Sequence, residues 1–129
     1  MDKPIIGISI GDYNGIGPEV ILKTIQNTKL FKWSIPVLYG SEKILNFYKK
    51  DLDLNEFKTY TVKSIDHIRE NQLNIIPCLD DQAIQIEPGK VTQAAGKAAF
   101  ASLKAACDDL DQGKIAALVT APINKKNIQ

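Results

Sequence analysis

Apolar runs of two different periods alternate along the chain. Residues 4–10 (PIIGISI) form a short isoleucine-rich run that closes on Gly11-Asp12, as a buried strand does. From 18 to 30 the period changes. Ile21, Leu22 and Ile25 share a face while Lys23, Gln26 and Asn27 fall largely elsewhere, which predicts a helix. Pro18 suits its first turn, and Glu19 complements the positive end of its dipole. Residues 35–39 (IPVLY) predict a second strand. Ser41 then caps a helix over 42–50.

The middle is less regular. Residues 57–62 have β-branched and aromatic character, 64–70 read as a short helix or a loop, and 73–79 (LNIIPCL) as a strand. Pro77 places that strand at a sheet edge, or itself at a strand end. Residues 83–86 alternate briefly before a turn at Pro88-Gly89. The clearest helix runs from Thr92, a cap, to Gln112, with Gly113 as its C-terminal stop. Ala95, Ala99, Leu103, Ala106 and Leu110 form its apolar stripe, Phe100 adjoins it, and the alanines predict close packing on a sheet. Residues 115–119 (IAALV) predict another buried strand, ending at Thr120-Ala121-Pro122. Residues 123–129 look like a loop entering a helix that has no cap, so the chain is expected to be truncated.

This order of elements predicts an α/β layer: a largely parallel sheet flanked by helices. At 129 residues the chain is one domain or a piece of a larger one. Composition changes the picture mainly by exclusion. Sixteen basic and fifteen acidic residues leave a net charge of +1, no footprint for nucleic acid or an anionic membrane. No apolar run is long enough to span a bilayer, and the first residues lack a signal peptide's pattern, so cytoplasmic residence is the default expectation. Cys78 and Cys107 show no metal-knuckle spacing, and a single histidine, His67, cannot make a histidine metal site. His67 reads as a surface residue. The Asp80-Asp81 and Asp108-Asp109 pairs read as solvated.

Two segments carry candidate chemistry, each coming directly after a strand. Gly11-Asp12-Tyr13-Asn14-Gly15-Ile16-Gly17-Pro18-Glu19 opens a helix. Its glycines allow a sharp turn and close approach of a ligand, and its helix start offers unpaired N–H groups. It fails the dinucleotide fingerprint, because Val20 stands where the third glycine belongs, and no P-loop pattern occurs. Glu19 disfavours a phosphate there, so a nicotinamide or ribose edge fits the turn better than a pyrophosphate. A tight turn with no ligand is the competing reading. The second segment is Val119-Thr120-Ala121-Pro122-Ile123-Asn124-Lys125, where a hydroxyl, an amide and a cation could hold an anionic, hydroxylated substrate. Solvated surface lysines are the competing reading.

Together these segments, with the helix Gly96-Lys97-Ala98-Ala99-Phe100-Ala101-Ser102-Leu103 between them, resemble the 4-hydroxythreonine-4-phosphate dehydrogenase family. The glycine turn is also similar to that of the wider isocitrate and isopropylmalate dehydrogenase fold group. The resemblance implies a two-domain α/β dehydrogenase, usually a homodimer, using NAD and a divalent metal in pyridoxal phosphate biosynthesis. Its small phosphorylated hydroxy-amino-acid substrate is oxidised to a ketone and then loses carbon dioxide. Gly11, Asp12, Gly15, Ile16 and Gly17 would face the cofactor; Thr120, Asn124 and Lys125 would face the substrate. Where the commonest family loop has Pro-Ala, this chain has Tyr13-Asn14, a change expected to alter only the loop surface.

The family's metal-binding histidines and phosphate clamp have no counterpart in these 129 residues, and no catalytic residue is assigned. The chain is therefore expected to be the N-terminal part of such an enzyme, inactive alone, with apolar surface exposed. A dehydrogenase of a phosphorylated four-carbon sugar acid (threonate or erythronate phosphate) and a non-catalytic α/β binding module are the alternatives. The dehydrogenase readings need the two turns to emerge side by side on one rim of the sheet, and the glycine turn to leave room for a ligand.

Overall fold

A computed structural model describes residues 3–26, 29–54 and 58–123. Among these residues five strands form one sheet: β1 (Ile5–Ser9), β2 (Ile35–Gly40), β3 (Thr59–Thr61), β4 (Leu73–Pro77) and β5 (Ala117–Thr120). The helices are α1 (Gly17–Ile25), the single turn α2 (Leu30–Trp33), α3 (Glu42–Asp51) and α4 (Gln93–Asp111). Every pair is parallel and the order is β3-β4-β2-β1-β5.

Alternation along the strands supplies two faces. Leu38, Leu73 and Ile75 join the core beneath α1 and α3, with Ile21, Leu22, Ile44 and Leu45. Ile35, Val37, Tyr39 and Ile76 join a second core with Ala106 of α4. Successive side chains of a strand point to opposite faces, so both faces of β2 need a helical cover. The chain moves outward from β1 to β2, then returns through α4 to β5 on the far side of β1. Its direction therefore reverses between β1 and β5, and this is the switch point of the sheet.

The caps form as the sequence predicts. Ser41 Oγ accepts from the Lys43 N–H, Thr92 Oγ1 accepts from the Ala95 N–H, and Gly113 has the left-handed backbone (φ +73°) of a helix stop. The buried face of α1 is the predicted one.

Of the two placements expected for Pro77, the strand end holds: it has no N–H to give and sits at the last position of β4, which lies between β3 and β2. Three expectations change. The predicted helix over 18–30 divides, with α1 ending at Ile25 and α2 beginning at Leu30. The buried stripe of α4 is Ala95, Ala98, Ala99, Ser102 and Ala106, while Phe100 is 56% exposed and Leu110 is also exposed. The helix lies so close to the sheet that small residues meet it, and the large ones turn outward. Finally, the run 115–119 is not a buried strand throughout. Ile115 is buried, but Ala117, Val119 and Thr120 of β5 are exposed, because only β1 pairs with it among the described residues.

Candidate functional site

The two signature segments meet at the carboxyl rim of the sheet, where the switch point lies. Ser9 and Thr120 are register partners, and pairing continues past the strands. The Ala121 N–H donates to Ser9 O (3.1 Å), and the Asp12 N–H donates to Pro122 O (3.0 Å). This close approach explains two glycines. Gly11 has φ +73°, and a Cβ there would lie 2.3 Å from the Pro122 carbonyl oxygen. A Cβ on Gly17 would lie 2.8 Å from Ile10 O. Both glycines thus answer to the chain's own backbone. Gly15 differs: it is exposed and has room for a Cβ.

A hydroxyl from α4 fixes the root of the turn. Ser102, fully buried, accepts from the Ile10 N–H (2.9 Å) and donates to Tyr39 O. It bridges β1 and β2 just beyond the point where their own pairing ends. A polar residue on the alanine face of α4 was its sequence signal.

The turn itself is largely interior. Asp12 is buried and its Oδ1 accepts from the Asn14 N–H (2.9 Å), while the Gly15 N–H donates to Asp12 O (3.0 Å). Tyr13 is fully buried, and its carbonyl accepts from the Tyr48 hydroxyl. The Tyr13 hydroxyl lies buried near Gln85 and Thr92 without a well-formed hydrogen bond; burial pushes its pKa up. Asn14 is buried as well. The Tyr13-Asn14 departure from the commonest family loop therefore changes the interior and not, as expected, the loop surface. Both side chains turn inward because the turn folds back over the segment that precedes α4.

Outward, the turn presents Gly15 and Ile16, the latter 60% exposed, at the start of α1, which has no side-chain cap. Thr120 is exposed on the neighbouring strand end. Asn124 and Lys125 lie outside the described residues. The rim brings Gly11, Asp12, Gly15, Ile16, Gly17 and Thr120 together; of these, Gly15, Ile16 and Thr120 are open to a visitor. Behind the turn, Tyr13 also lines a cavity of about 430 Å³ between the end of β4 and the first half of α4, with Cys78, Asp80, Gln93 and Lys97. Burial pushes the Cys78 thiol up to about 11, which keeps it protonated and unreactive near neutral pH.

Other candidates stand apart. His67 is exposed on a single 3₁₀ turn, Ile65–His67. Asp109 is not simply solvated: it accepts from the buried Tyr39 hydroxyl (2.7 Å), an interaction between α4 and β2 that the local pattern at the end of α4 did not reveal. Among the described residues no three His, Cys, Asp or Glu side chains cluster to hold a metal ion, and no described helix is long and apolar enough to cross a membrane.

Known proteins resemble this chain in sequence and fold. The sequence profile of the family described as "Pyridoxal phosphate biosynthetic protein PdxA" matches residues 32–129. A 4-hydroxythreonine-4-phosphate dehydrogenase of Bacteroides thetaiotaomicron is 39% identical over 99% of this chain and 35% of its own length. A protein of Oceanobacillus iheyensis, provisionally named a D-threonate 4-phosphate dehydrogenase, is 35% identical over 98% of this chain and 39% of its own length. The crystal structure of a 4-hydroxythreonine-4-phosphate dehydrogenase from Burkholderia phymatum superposes with a TM-score of 0.86 at 29% identity, over 99% of this chain and 39% of that one. The chain thus spans between about a third and two-fifths of the length of these relatives. With a profile that matches most of its residues and a fold that superposes almost throughout, the chain belongs to the PdxA family of dehydrogenases.

Proposed function

We propose that the chain forms the N-terminal share of an NAD-dependent dehydrogenase that oxidises 4-phosphooxy-threonine, with loss of carbon dioxide, in pyridoxal phosphate biosynthesis. The observation that carries this reading is the family match over residues 32–129. Its geometric support is the pairing of the Gly11 turn with Ala121-Pro122 at the switch point, where parallel sheets receive ligands.

In this reading Gly11, Asp12, Gly15, Ile16 and Gly17 form the cofactor side. Gly11 and Gly17 let the backbone close up, Asp12 shapes the turn, and Gly15 and Ile16 supply the surface on which a nicotinamide or ribose edge rests. Thr120, Asn124 and Lys125 form the substrate side: a hydroxyl and an amide for the substrate's polar groups, and a cation for its phosphate or carboxylate. NAD would supply the hydride acceptor, and the protein would hold it in register with the substrate's carbinol carbon. A divalent metal would take its ligands from outside the described residues, which supply no cluster for it. The whole enzyme would act as a cytoplasmic homodimer.

A second reading keeps the chemistry and changes the substrate. The relatives named for 4-hydroxythreonine-4-phosphate and for D-threonate 4-phosphate lie at similar identity, which favours a phosphorylated four-carbon hydroxy acid as the common class.

The test joins this chain to the remaining part of the Bacteroides relative and follows NADH formation with each substrate and a divalent metal. The chimera is expected to reduce NAD with 4-phosphooxy-threonine, and the 129-residue chain alone to be inactive. A higher kcat/KM for D-threonate 4-phosphate would select the second reading. Turnover by the chain alone would refute its role as an incomplete share.

A further inference from the structure

We infer that Asn14 is a positioning residue, holding the exposed Gly15–Ile16 apex of the turn in a fixed relation to the start of α4. The tie exists whether or not a cofactor binds; its bearing on a ligand rests on the assignment of that apex to the cofactor.

Asn14 is buried and uses both its backbone groups and both ends of its side chain. Its N–H donates to Asp12 Oδ1 (2.9 Å), and its C=O accepts from the Gly89 N–H (2.8 Å). Its Oδ1 accepts from the Glu87 N–H (2.7 Å), and its Nδ2 donates to Thr92 Oγ1 (3.2 Å). Thr92 Oγ1 also accepts from the Ala95 N–H (3.1 Å), as the N-cap of α4. One amide therefore links the turn after β1 to the segment 87–92, more than seventy residues away, and ends on the cap of the longest helix.

The chemistry explains why an amide stands here. An alanine at 14 could form neither side-chain bond. In this chain the turn is held to the segment 87–92 by the two ends of one amide. A buried amide satisfied at both ends is costly to disturb, because its partners lose their own pairing. Any displacement is felt first at the neighbouring Gly15, whose N–H bond to Asp12 O anchors the apex.

Amide hydrogen exchange on this 129-residue chain, and NAD⁺ titration of the same chain joined to the remaining part of the Bacteroides relative, both read by NMR, test the inference. In Asn14→Ala the Gly15 and Gly89 amides, whose acceptors are backbone oxygens that the substitution leaves in place, are expected to exchange at least about tenfold faster, while amides of β2 keep their rates. Thr92→Ser, which retains the hydroxyl, should behave as the parent chain; Thr92→Val should loosen Gly15. Parent-like exchange of Gly15 and Gly89 in Asn14→Ala, or an equal acceleration throughout the sheet, would overturn the inference. In the titration, NAD⁺ is expected to shift Gly15 and Ile16, with a several-fold weaker Kd in Asn14→Ala. Loosened exchange with no NAD⁺ effect at these amides would leave the tie standing and remove the cofactor assignment of the apex.

Discussion

β2 and β5 look alike as sequences and differ in what surrounds them. Each is a short apolar run between turn residues, IPVLYG and ALVT. Every residue of β2 is buried, with strands on both sides and helices over both faces. β5 pairs only with β1 among the described residues, and Val119 is 54% exposed. The contribution of β5 comes instead from the two residues just past its end, Ala121 and Pro122, whose backbone receives and braces the Gly11 turn. One strand holds the fold by its side chains, the other by the backbone at its end.

The sharpest attempt to break this contrast is Gly11→Ala. A left-handed backbone costs a non-glycine residue about 1–2 kcal/mol, and pushing a Cβ toward the Pro122 carbonyl adds overpacking of about 1–3 kcal/mol. Urea denaturation should show a loss near the upper end of the combined range, a large share of the roughly 5–15 kcal/mol that holds a typical domain. A loss below about 1 kcal/mol, against the strain expected of a left-handed alanine, would mean that the end of β5 is not a fixed brace.

The next test compares the strands directly. Leu38→Ala in β2 should cost about 2–5 kcal/mol, as a buried leucine does, whereas Val119→Ala in β5 should stay within about 0.5 kcal/mol. Equal losses in thermal or urea unfolding would show that β5 is covered in solution.

Ser102→Ala should have the smallest clear effect, about 1–3 kcal/mol, from leaving the Ile10 N–H and Tyr39 C=O buried and unpaired. Its signature is local. Exchange of the Ile10 amide should rise more than that of the central amides of β2. A loss spread evenly over the sheet would instead place Ser102 among ordinary packing residues.

Much of the site was legible in the residues. Gly11, Gly15 and Gly17 marked the turn, and the run into Thr120-Ala121-Pro122 marked its partner; both lie on the same rim, as the reading required. Why each glycine is there was not legible. Gly11 and Gly17 avoid backbone from Ile10, Ala121 and Pro122, whereas Gly15 has no such neighbour. Local pattern does not reveal the roles of Asn14 and Ser102, because their side-chain partners lie 73–78 residues and 63–92 residues away.

The sequence by itself determined the order of the strands and of α1, α3 and α4, the caps at Ser41 and Thr92, the stop at Gly113 and the buried face of α1. These features depend on side-chain spacing and on hydrogen bonds within a few residues, where the partners are already neighbours along the chain. Tertiary structure alone decided that β4 is interior and, among the described residues, β5 an edge, that the stripe of α4 runs through Ser102, and that Tyr13 and Asn14 face inward. Each of these depends on which distant segment occupies the adjoining space, and a short apolar run carries the same pattern whether or not a neighbour covers it.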